Sequence, residues 1–294
     1  FKETNPEKFK NLMEMIKNPK AYLEQIKKEN SDLTKEQLLD YKNETIPKSD
    51  LKIHFENVGQ GDCIMLDHNG QYALIDVGKS KIALDEIKKH LQEKYDWVLT
   101  THQDSDHIGY VSYVLEKSAV DWFYDNGNVA TTQTYKDMMQ SVSDNNVYYH
   151  ILETGDKITT WDDVNITVVS SKASNGKDVN DDSIVLLLEF EGVRVAFTGD
   201  ISENVEENIG KSLGDVDVLK VAHHGSKTSS SNAFLSYTLP EVSIISVGEN
   251  NYGHPSEEAL ERLSKYGKVY RTDEYGCVEL VIDDGKYEIK HCEY

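Results

Sequence analysis

The chain has 294 residues, which suits one large domain or one domain with a small appendage, and its hydrophobic content of 38% is low but sufficient for a packed core. A formal net charge of −21 favours solubility and disfavours a broad, non-specific grip on nucleic acid. No run of about eighteen apolar residues occurs, so no membrane span is predicted within the chain.

Residues 1–48 differ in composition from the rest and are predicted to form a short helical N-terminal extension. They are rich in Lys, Glu and Asn, with Leu, Met and Ile at helical spacing, and Pro6 and Pro19 each stand where a helix could begin. We expect two or three short helices without a catalytic role, followed by one domain over residues 49–294.

From residue 51 the pattern changes to alternating strands and helices. The first half is predicted to contain strands at 51–58, 62–67, 71–77, 97–100 and 120–124, with helices at 81–93, 107–117 and 131–143. The second half is predicted to contain strands at 165–170, 183–190, 193–198, 216–221, 242–247, 269–270, 278–282 and 287–291, with helices at 203–212, around Phe234 and at 256–265. Strand meanders and helices in both halves indicate an α/β fold with two sheets face to face and helices outside, a four-layer αββα sandwich.

The three cysteines leave the cellular compartment open. Cys63 lies in an apolar strand and is interpreted as a core residue, while Cys277 and Cys292 lie in neighbouring predicted strands and could form a disulfide. The chain begins at Phe1, which leaves room for a removed signal or anchor, and an extracytoplasmic location is favoured slightly over a cytoplasmic one.

The segment after the predicted strand 97–100 carries the strongest chemical signal. It places four side chains that can bind metal within six residues, namely His102, Asp104, Asp106 and His107. Imidazole and carboxylate ligands together suit Zn, Mn or Fe, and a tight turn can divide them between two adjacent ions. The competing interpretation is a polar loop in which Asp106 caps the following helix.

Three further segments place metal-capable residues at strand ends or before helices. Asp200 comes after an apolar strand and directly after Gly199. His223 and His224 follow a buried strand, and His254 precedes a predicted helix. Each alone would be an ordinary turn or surface residue, but together with the first loop they indicate a metal centre. Two metals a few ångströms apart, as expected for such a centre, would lower the pKa of a shared water, supply a hydroxide nucleophile and neutralise charge in the transition state.

These residues, in this order, resemble the metallo-β-lactamase superfamily, and more narrowly the hydrolase domain of ComEC-type DNA-uptake proteins. The resemblance runs from about residue 51 to residue 283 and is carried by the segments 58–62, 74–78, 102–109, 180–186, 197–200, 219–226, 252–256 and 271–276. It implies a four-layer metallo-β-lactamase sandwich that holds one or two divalent ions, Zn or Mn.

The resemblance also implies individual roles. The expected metal ligands are His102, Asp104, Asp106, His107, Asp200 and one residue of the His223–His224 pair, with His223 preferred. The residues expected to act in catalysis are Asp106, Asp200, His224 and His254; substrate contacts are expected from Lys220, Ser226 and His254; and structural support is expected from Asp62 and Asp76.

Two departures from the family pattern bear on the metals. Asp104 stands where most members have His, which favours oxygen-preferring ions such as Mn²⁺. No His precedes Ser183, where many members place another ligand of the first metal. Either Asp181 or Asp182 takes that place, or the first site is weak or empty, which leaves one or two metals as the expectation.

The leading functional hypothesis is hydrolysis of a phosphodiester; the resemblance implies nuclease activity on DNA, and single-stranded DNA is a candidate substrate. A nuclease usually carries a basic track, and the candidates for one are few: Lys220, Lys227, Arg262, Lys265, Lys268 and Arg271. The alternatives are a small phosphodiester or ester, as in phosphorylcholine esterases and lactonases of this fold, or a non-catalytic metal-binding module. Trp97, Trp122 and Trp161 could frame a choline, although core packing is the simpler role. The oligomeric state stays open.

Overall fold

The computed structural model describes residues 50–292. The predicted helices of residues 1–48 lie outside this range. The first half contains the strands β1 (Leu51–Phe55), β2 (Cys63–His68), β3 (Gln71–Val77), β4 (Lys94–Leu99), β5 (Ala119–Asp125) and β6 (Tyr148–Ile151), with the helices α1 (Lys81–His90), α2 (Ser105–Ile108), α3 (Val111–Lys117) and α4 (Gln133–Asp144).

The second half begins with four strands, β7 (Lys157–Ile158), β8 (Asn165–Ser170), β9 (Val185–Phe190) and β10 (Val193–Phe197). It continues with α5 (Glu203–Leu213), β11 (Val218–Lys220), a 3₁₀ turn (Ala222–Gly225), α6 (Asn232–Thr238), β12 (Val242–Ile245), α7 (Glu257–Leu263), β13 (Lys268–Arg271), α8 (Thr272–Tyr275), β14 (Val278–Asp283) and β15 (Lys286–His291).

The strands form two sheets. The first has eight strands in the order β15-β14-β1-β2-β3-β4-β5-β6, and the second has seven in the order β13-β12-β11-β10-β9-β8-β7. Strands β3 to β6 run parallel, as do β10 to β13. Parallel strands end on the same edge of a sheet. The loops after β3 and β4 therefore lie on one edge of the first sheet, and the loops after β10 and β11 lie on one edge of the second.

The core lies in three layers of apolar side chains. The largest cluster joins the inner faces of the two sheets and includes Trp97, Phe55 and Phe197, with the two Phe rings 6.2 Å apart. One cluster packs helices α1, α3 and α4 on the first sheet, and the other packs α5 and α6 on the second. Burial of apolar side chains on both faces of each sheet explains the near-continuous apolar runs in the central strands. The predicted four-layer αββα sandwich is confirmed.

Serine and threonine caps place the helix starts. Ser80, Thr132, Ser231 and Ser256 each accept a hydrogen bond from a backbone N–H in the first turn of α1, α4, α6 and α7, respectively. Such caps satisfy amide groups that the helix itself leaves unpaired. Element boundaries in the sequence therefore follow ordinary start signals.

Several local predictions were wrong or incomplete. The single helix predicted at 107–117 is two helices, α2 and α3, and the strands β6 and β7 and the helix α8 were not predicted. Strand β6 is an exposed edge strand without an apolar alternation, and β7 has two residues, so neither gives a period-2 signal. Cys277 and Cys292 form a disulfide between the ends of β14 and β15. None of the helices within residues 50–292 is long and apolar enough to cross a membrane.

Candidate metal centre

Two turns deliver most of the metal-capable side chains. The loop after β4 carries His102, and α2, which follows it directly, carries Asp106 and His107. Asp200 follows β10 after Gly199, whose φ is +51° and whose position would bring an added Cβ to 2.7 Å from Ser183. A glycine is needed there because only glycine combines that backbone conformation with so close an approach.

The first group of ligand atoms, called here the first triad, consists of His102, His107 and Asp200. All three residues are buried, and one ligand atom from each lies within 4.8 Å of the other two. The His107 Nε2 atom is 3.4 Å from Asp200 Oδ2. Two imidazoles and one carboxylate at this spacing match the donor set of a divalent transition metal.

The second triad consists of Asp106, His107 and His224, again with ligand atoms within 4.8 Å of one another. The His224 Nε2 atom lies 3.7 Å from Asp106 Oδ2 and 3.5 Å from Asp200 Oδ2. His107 belongs to both triads, and Asp200 of the first lies close to His224 of the second, so the arrangement offers positions for one or two ions.

Each histidine of the triads is oriented by a hydrogen bond at its Nδ1 atom. His107 donates from Nδ1 to Asp76 Oδ2 at 2.8 Å, and His224 donates from Nδ1 to the carbonyl oxygen of Ser246 at 2.8 Å. Since a carboxylate and a carbonyl can only accept, these bonds place a proton on Nδ1, so that Nε2 is the acceptor nitrogen when the ring is neutral. Hydrogen bonds of this kind fix the tautomer and the ring orientation of a metal-binding histidine.

Thr101 extends the same bracing to His102. Its hydroxyl donates to Asp76 Oδ2 at 2.7 Å and so accepts from His102 Nδ1 at 3.0 Å, while the Thr101 backbone N–H donates to Asp76 Oδ1 at 2.8 Å. Ser183 Oγ lies 3.3 Å from the same Nδ1 atom and accepts from the backbone N–H of Asp200 at 3.1 Å. Thr101, Ser183 and Ser246 were not predicted from the sequence. Residues that only hydrogen-bond to a metal ligand through a hydroxyl or a backbone carbonyl have no characteristic spacing in the sequence.

The buried ligand atoms are left without partners by the protein itself. Within residues 50–292, the Nε2 atoms of His102, His107 and His224 and the Oδ1 atom of Asp200 have no hydrogen-bond partner. A buried polar atom without a partner is costly unless something binds it. The donor set, its burial and its unpaired atoms fit a divalent metal.

The electrostatics of this cluster are strongly coupled. Burial, reinforced by His107, holds the pKa of His102 well below its usual value. Burial also opposes charge on His107, but Asp200 and Asp76 outweigh it and raise the pKa of His107 well above its usual value. Burial would raise the pKa of Asp200, yet His224 and His107 lower it well below its usual value. Charge at these positions is therefore set by close neighbours more than by solvent.

The structure places two of the predicted ligands outside the triads. The Asp104 side chain is 54% exposed, and its Oδ2 atom is 3.9 Å from His102 Nε2. His223, the preferred member of its pair, is 26% exposed and lies 4.0 Å from Asp200, whereas His224 is buried among the ligands. Both histidines have positive φ angles in the 3₁₀ turn, and this turn directs His224 inward. The geometry therefore favours His224 as the ligand.

Neither Asp181 nor Asp182 replaces the missing family histidine. Both oxygens of the buried Asp182 accept hydrogen bonds, from Ser174, Gly176 and Asn128, so this residue holds its own loop together. Asp181 accepts from the backbone N–H of Ser202 at 2.8 Å. Neither belongs to a triad among the described residues.

Lys220 was predicted to contact substrate, and this prediction is wrong. Its side chain is 1% exposed, and its Nζ atom lies 2.6 Å from Asp62 Oδ2 and donates to the carbonyl oxygen of Val221 at 3.0 Å. Asp62 Oδ1 is in turn 3.6 Å from His224 Nδ1. Lys220 and Asp62 thus form a buried ion pair beside His224. This contact is consistent with the structural role expected of Asp62.

The remaining predicted residues lie around the centre. His254 packs edge-on against His223 with ring centroids 5.2 Å apart, and burial together with His223 lowers its pKa. Ser226 is buried, and its hydroxyl lies 2.9 Å from that of Thr228. Trp97 and Trp161 belong to the core between the sheets, so they do not frame a ligand.

A cleft of about 290 Å³ opens beside Asp200 and His223. Its other lining residues are polar or acidic: Asp178, Asn180, Asp181, Ser202, Glu203, Asn204 and Thr228. The cleft shares two residues with the surroundings of the triads, so a molecule bound in it would reach the metal cluster.

The chain is similar in sequence to known proteins. A family model described as the metallo-beta-lactamase superfamily matches residues 57–249. The chain is similar to ComE operon protein 3 of Bacillus subtilis, with 27% identity over 256 residues, which are 79% of this chain and 33% of that protein. It is also similar to recombination protein 2 of Haemophilus influenzae, with 31% identity over 218 residues, which are 71% of this chain and 26% of that protein. The chain thus spans about a third or less of the length of these relatives.

Among solved structures, the metallo-beta-lactamase fold protein YhfI from Bacillus subtilis has a similar fold. The TM-score is 0.54 at 12% identity, and the match covers 83% of this chain and 100% of that chain. At this identity the likeness concerns the fold alone.

Proposed function

The chain belongs to the metallo-β-lactamase superfamily, and from this membership we propose that it is a metal-dependent hydrolase of phosphodiesters. The observation that carries the proposal is the convergence of His102, His107, His224 and Asp200 with their metal-facing atoms unpaired and the Nδ1 atoms of the histidines occupied. A site prepared in this way serves a cation, and a buried cation beside an open cleft serves hydrolysis better than structural support.

The metal would acidify a water molecule and neutralise negative charge that develops on a phosphoryl group. The protein's own residues hold the ligands rigid, since Asp76 fixes His107 and Ser246 fixes His224. His223 and His254 lie at the rim and are available to contact phosphoryl oxygens, because neither is buried among the ligands. Rigid placement of the ligands matters because small displacements of groups in an active site lower the catalytic rate strongly.

DNA is the polymeric substrate to test, because one relative is named for recombination and the segments of the chain resemble DNA-uptake proteins. The positions of the basic residues give only weak support to a DNA substrate. Of the basic residues that could have formed a track, Lys220 is buried, Arg262 donates to backbone carbonyls of Ser230 and Ser229, and Arg271 pairs with Asp273. A small phosphodiester is the second candidate, and the acidic lining of the cleft favours it.

The proposal is tested with metal-stripped protein and bis-p-nitrophenyl phosphate, adding back Mn²⁺ and then Zn²⁺. We expect turnover that requires metal and falls by at least about a hundredfold in Asp200→Ala, because this carboxylate belongs to the first triad and also lies 3.5 Å from His224 of the second. Single-stranded DNA is then offered under the same conditions. Metal binding without turnover of any phosphodiester would contradict the proposal and favour esters, lactones or a non-catalytic role.

A further inference from the structure

Three donor side chains meet on the outer face of the first sheet, apart from both triads. They belong to His54, Cys277 and Cys292; each offers one ligand atom, and these atoms lie within 4.8 Å of one another. His54 is buried, and its strand neighbours Ile53 and Phe55 point into the core between the two sheets. Because side chains alternate along a strand, His54 points to the opposite face of the sheet. The cluster shares no residue with either triad.

The register of three adjacent strands brings these donors together. His54 of β1 lies directly opposite Glu279 of β14, so the two side chains share a face of the sheet. Cys277 precedes β14 and is two residues from Glu279, which places it on the same face. Cys292 follows β15, and its backbone N–H donates to the carbonyl oxygen of Cys277 at 3.3 Å, which continues the pairing of β14 with β15. Two sulfurs, an imidazole and a carboxylate are therefore neighbours by construction of the sheet.

The imidazole of this cluster is in the form that binds metal. Burial, reinforced by the charges of Lys52 and His90, lowers the pKa of His54 to about 4, so the ring is neutral at neutral pH. The Glu279 side chain is 7% exposed, and its Oε1 atom lies 3.6 Å from His54 Nδ1. A carboxylate in this position can orient the ring of a metal-binding histidine.

In the disulfide form the two sulfurs are bonded to each other, and a metal requires them as thiolates. We propose that reduction of the Cys277–Cys292 disulfide converts the cluster into a zinc site with Cys277, Cys292 and His54 as ligands and Glu279 as the carboxylate beside the imidazole. The site is separate from the proposed hydrolase centre, and its existence does not depend on hydrolysis.

The conversion requires a dithiol as reductant. Cys292 is partly exposed, so a thiolate of the dithiol attacks its sulfur, forms a mixed disulfide there and releases Cys277 as a thiolate. The second thiol of the reagent then displaces Cys292, and the reagent leaves as its own disulfide. Two electrons and two protons have passed from the dithiol to the two cysteines. Binding of Zn²⁺ releases those two protons to solvent, because cysteine binds metal as the thiolate.

The donor set distinguishes this site from the triads. Two thiolates and an imidazole form a soft set that selects Zn²⁺ over Mn²⁺ or Mg²⁺. The triads offer imidazoles and carboxylates, with no sulfur among their ligands. A metal ion that reports sulfur ligation therefore reports on the new site alone. The third cysteine, Cys63, is buried in β2 and does not belong to the cluster.

The test uses Co²⁺ as a probe for Zn²⁺ on the whole chain. The protein is reduced with dithiothreitol in its native state, freed of reagent under anaerobic conditions, and assayed for thiols before Co²⁺ is added. We expect two new thiols per chain and a thiolate-to-Co²⁺ charge-transfer absorption in the near ultraviolet, which saturates at one ion per chain and is abolished by Zn²⁺. The disulfide form should bind Co²⁺ without this absorption. No increase in thiols, or no such absorption after reduction, would overturn the proposal.

Variants assign the ligands. Cys292→Ser should abolish the absorption, and His54→Gln should lower the affinity of the reduced protein for Co²⁺ by at least about tenfold. Cys63→Ala is the matched control, since it removes a thiol outside the cluster, and should keep both the disulfide and the absorption. An absorption that persists in Cys292→Ser, or an unchanged affinity in His54→Gln, would overturn the assignment.

A second measurement needs no variant. The reduced wild type is alkylated with iodoacetamide with and without Zn²⁺, and modification of each cysteine is followed by peptide mass spectrometry. Zn²⁺ should slow the alkylation of Cys277 and Cys292 by at least about tenfold, because a metal-bound thiolate is a weaker nucleophile than a free one. Equal rates at both cysteines with and without Zn²⁺ would contradict the zinc site, whatever the folding of the variants.

Discussion

Replacement of Lys220 by methionine should destabilise the domain strongly. The Lys220 ammonium is 2.6 Å from the Asp62 carboxylate, both side chains are 1–2% exposed, and the lysine has one further bond, to the carbonyl of Val221. At an effective dielectric constant of about 20, the attraction across 2.6 Å is about 6 kcal/mol, part of which offsets the cost of burying the two charges. Lys220→Met leaves the Asp62 carboxylate buried without its partner, and we expect a loss of about 3–5 kcal/mol.

The free energy of unfolding would be measured by urea denaturation of metal-stripped protein, with circular dichroism and fluorescence followed together to check that one transition is observed. Asp62→Asn/Lys220→Met removes both charges and should recover most of the loss, which makes the pair a double-mutant cycle. A loss below about 1 kcal/mol for Lys220→Met would contradict a stabilising buried ion pair. A double variant whose loss of unfolding free energy exceeds the sum of the losses in the two single variants would contradict it as well.

Asp76→Asn keeps a residue that tolerates the left-handed backbone at this position (φ 59°) but replaces one of the two acceptor oxygens by an NH2 group. If the remaining oxygen accepts from the Thr101 N–H, the His107 Nδ1 proton loses its acceptor, and metal affinity should fall about 10–100-fold in a chelator-competition titration; unchanged affinity would contradict the bracing role. Ser183→Ala removes a contact to His102 Nδ1 and should lower metal affinity by a smaller factor in the same titration. A loss of affinity as large as that of Asp76→Asn would contradict this prediction. Burial raises the pKa of Glu206 from 4.5 to about 7, so the folded protein keeps a proton there that the unfolded chain has lost; this group's contribution to stability therefore falls by about 3 kcal/mol as pH rises from about 4.5 to 7. Glu206→Gln should remove that dependence in urea denaturation, and a pH-independent difference between the two proteins would count against it.

The order of strands and helices could be predicted because apolar periodicity and helix caps are local signals. The strand Gln71–Val77 was predicted with its observed bounds, and the sandwich follows from strand meanders in both halves. The exposed edge strand β6 escaped prediction because its four residues are all solvent-exposed, so no alternation marks it. Apolar periodicity in a sequence reflects which residues are buried, so a strand with no buried residues cannot be recognised from it.

The site was predictable in composition and not in arrangement. The loop from His102 to His107 concentrates metal-binding residue types, whereas the choice between His223 and His224 depends on a turn with two consecutive left-handed residues. Lys220 looks like an exposed strand-end lysine in the sequence, and only the approach of Asp62 from the other sheet explains its burial. The backbone conformation of a turn decided the first case, and a contact between segments far apart in sequence decided the second.

The most direct test of the metal centre is an equilibrium titration of the stripped protein with Zn²⁺ or Mn²⁺ against a competing chelator, carried out on the wild type, His224→Ala and His223→Ala. We expect one or two tightly bound ions in the wild type and in His223→Ala, because His223 is partly exposed and outside both triads. We expect loss of at least one of them in His224→Ala, because the His224 Nε2 atom faces Asp106 and Asp200. Unaltered binding in His224→Ala, or no tight binding by the wild type, would show that these residues do not form a metal centre.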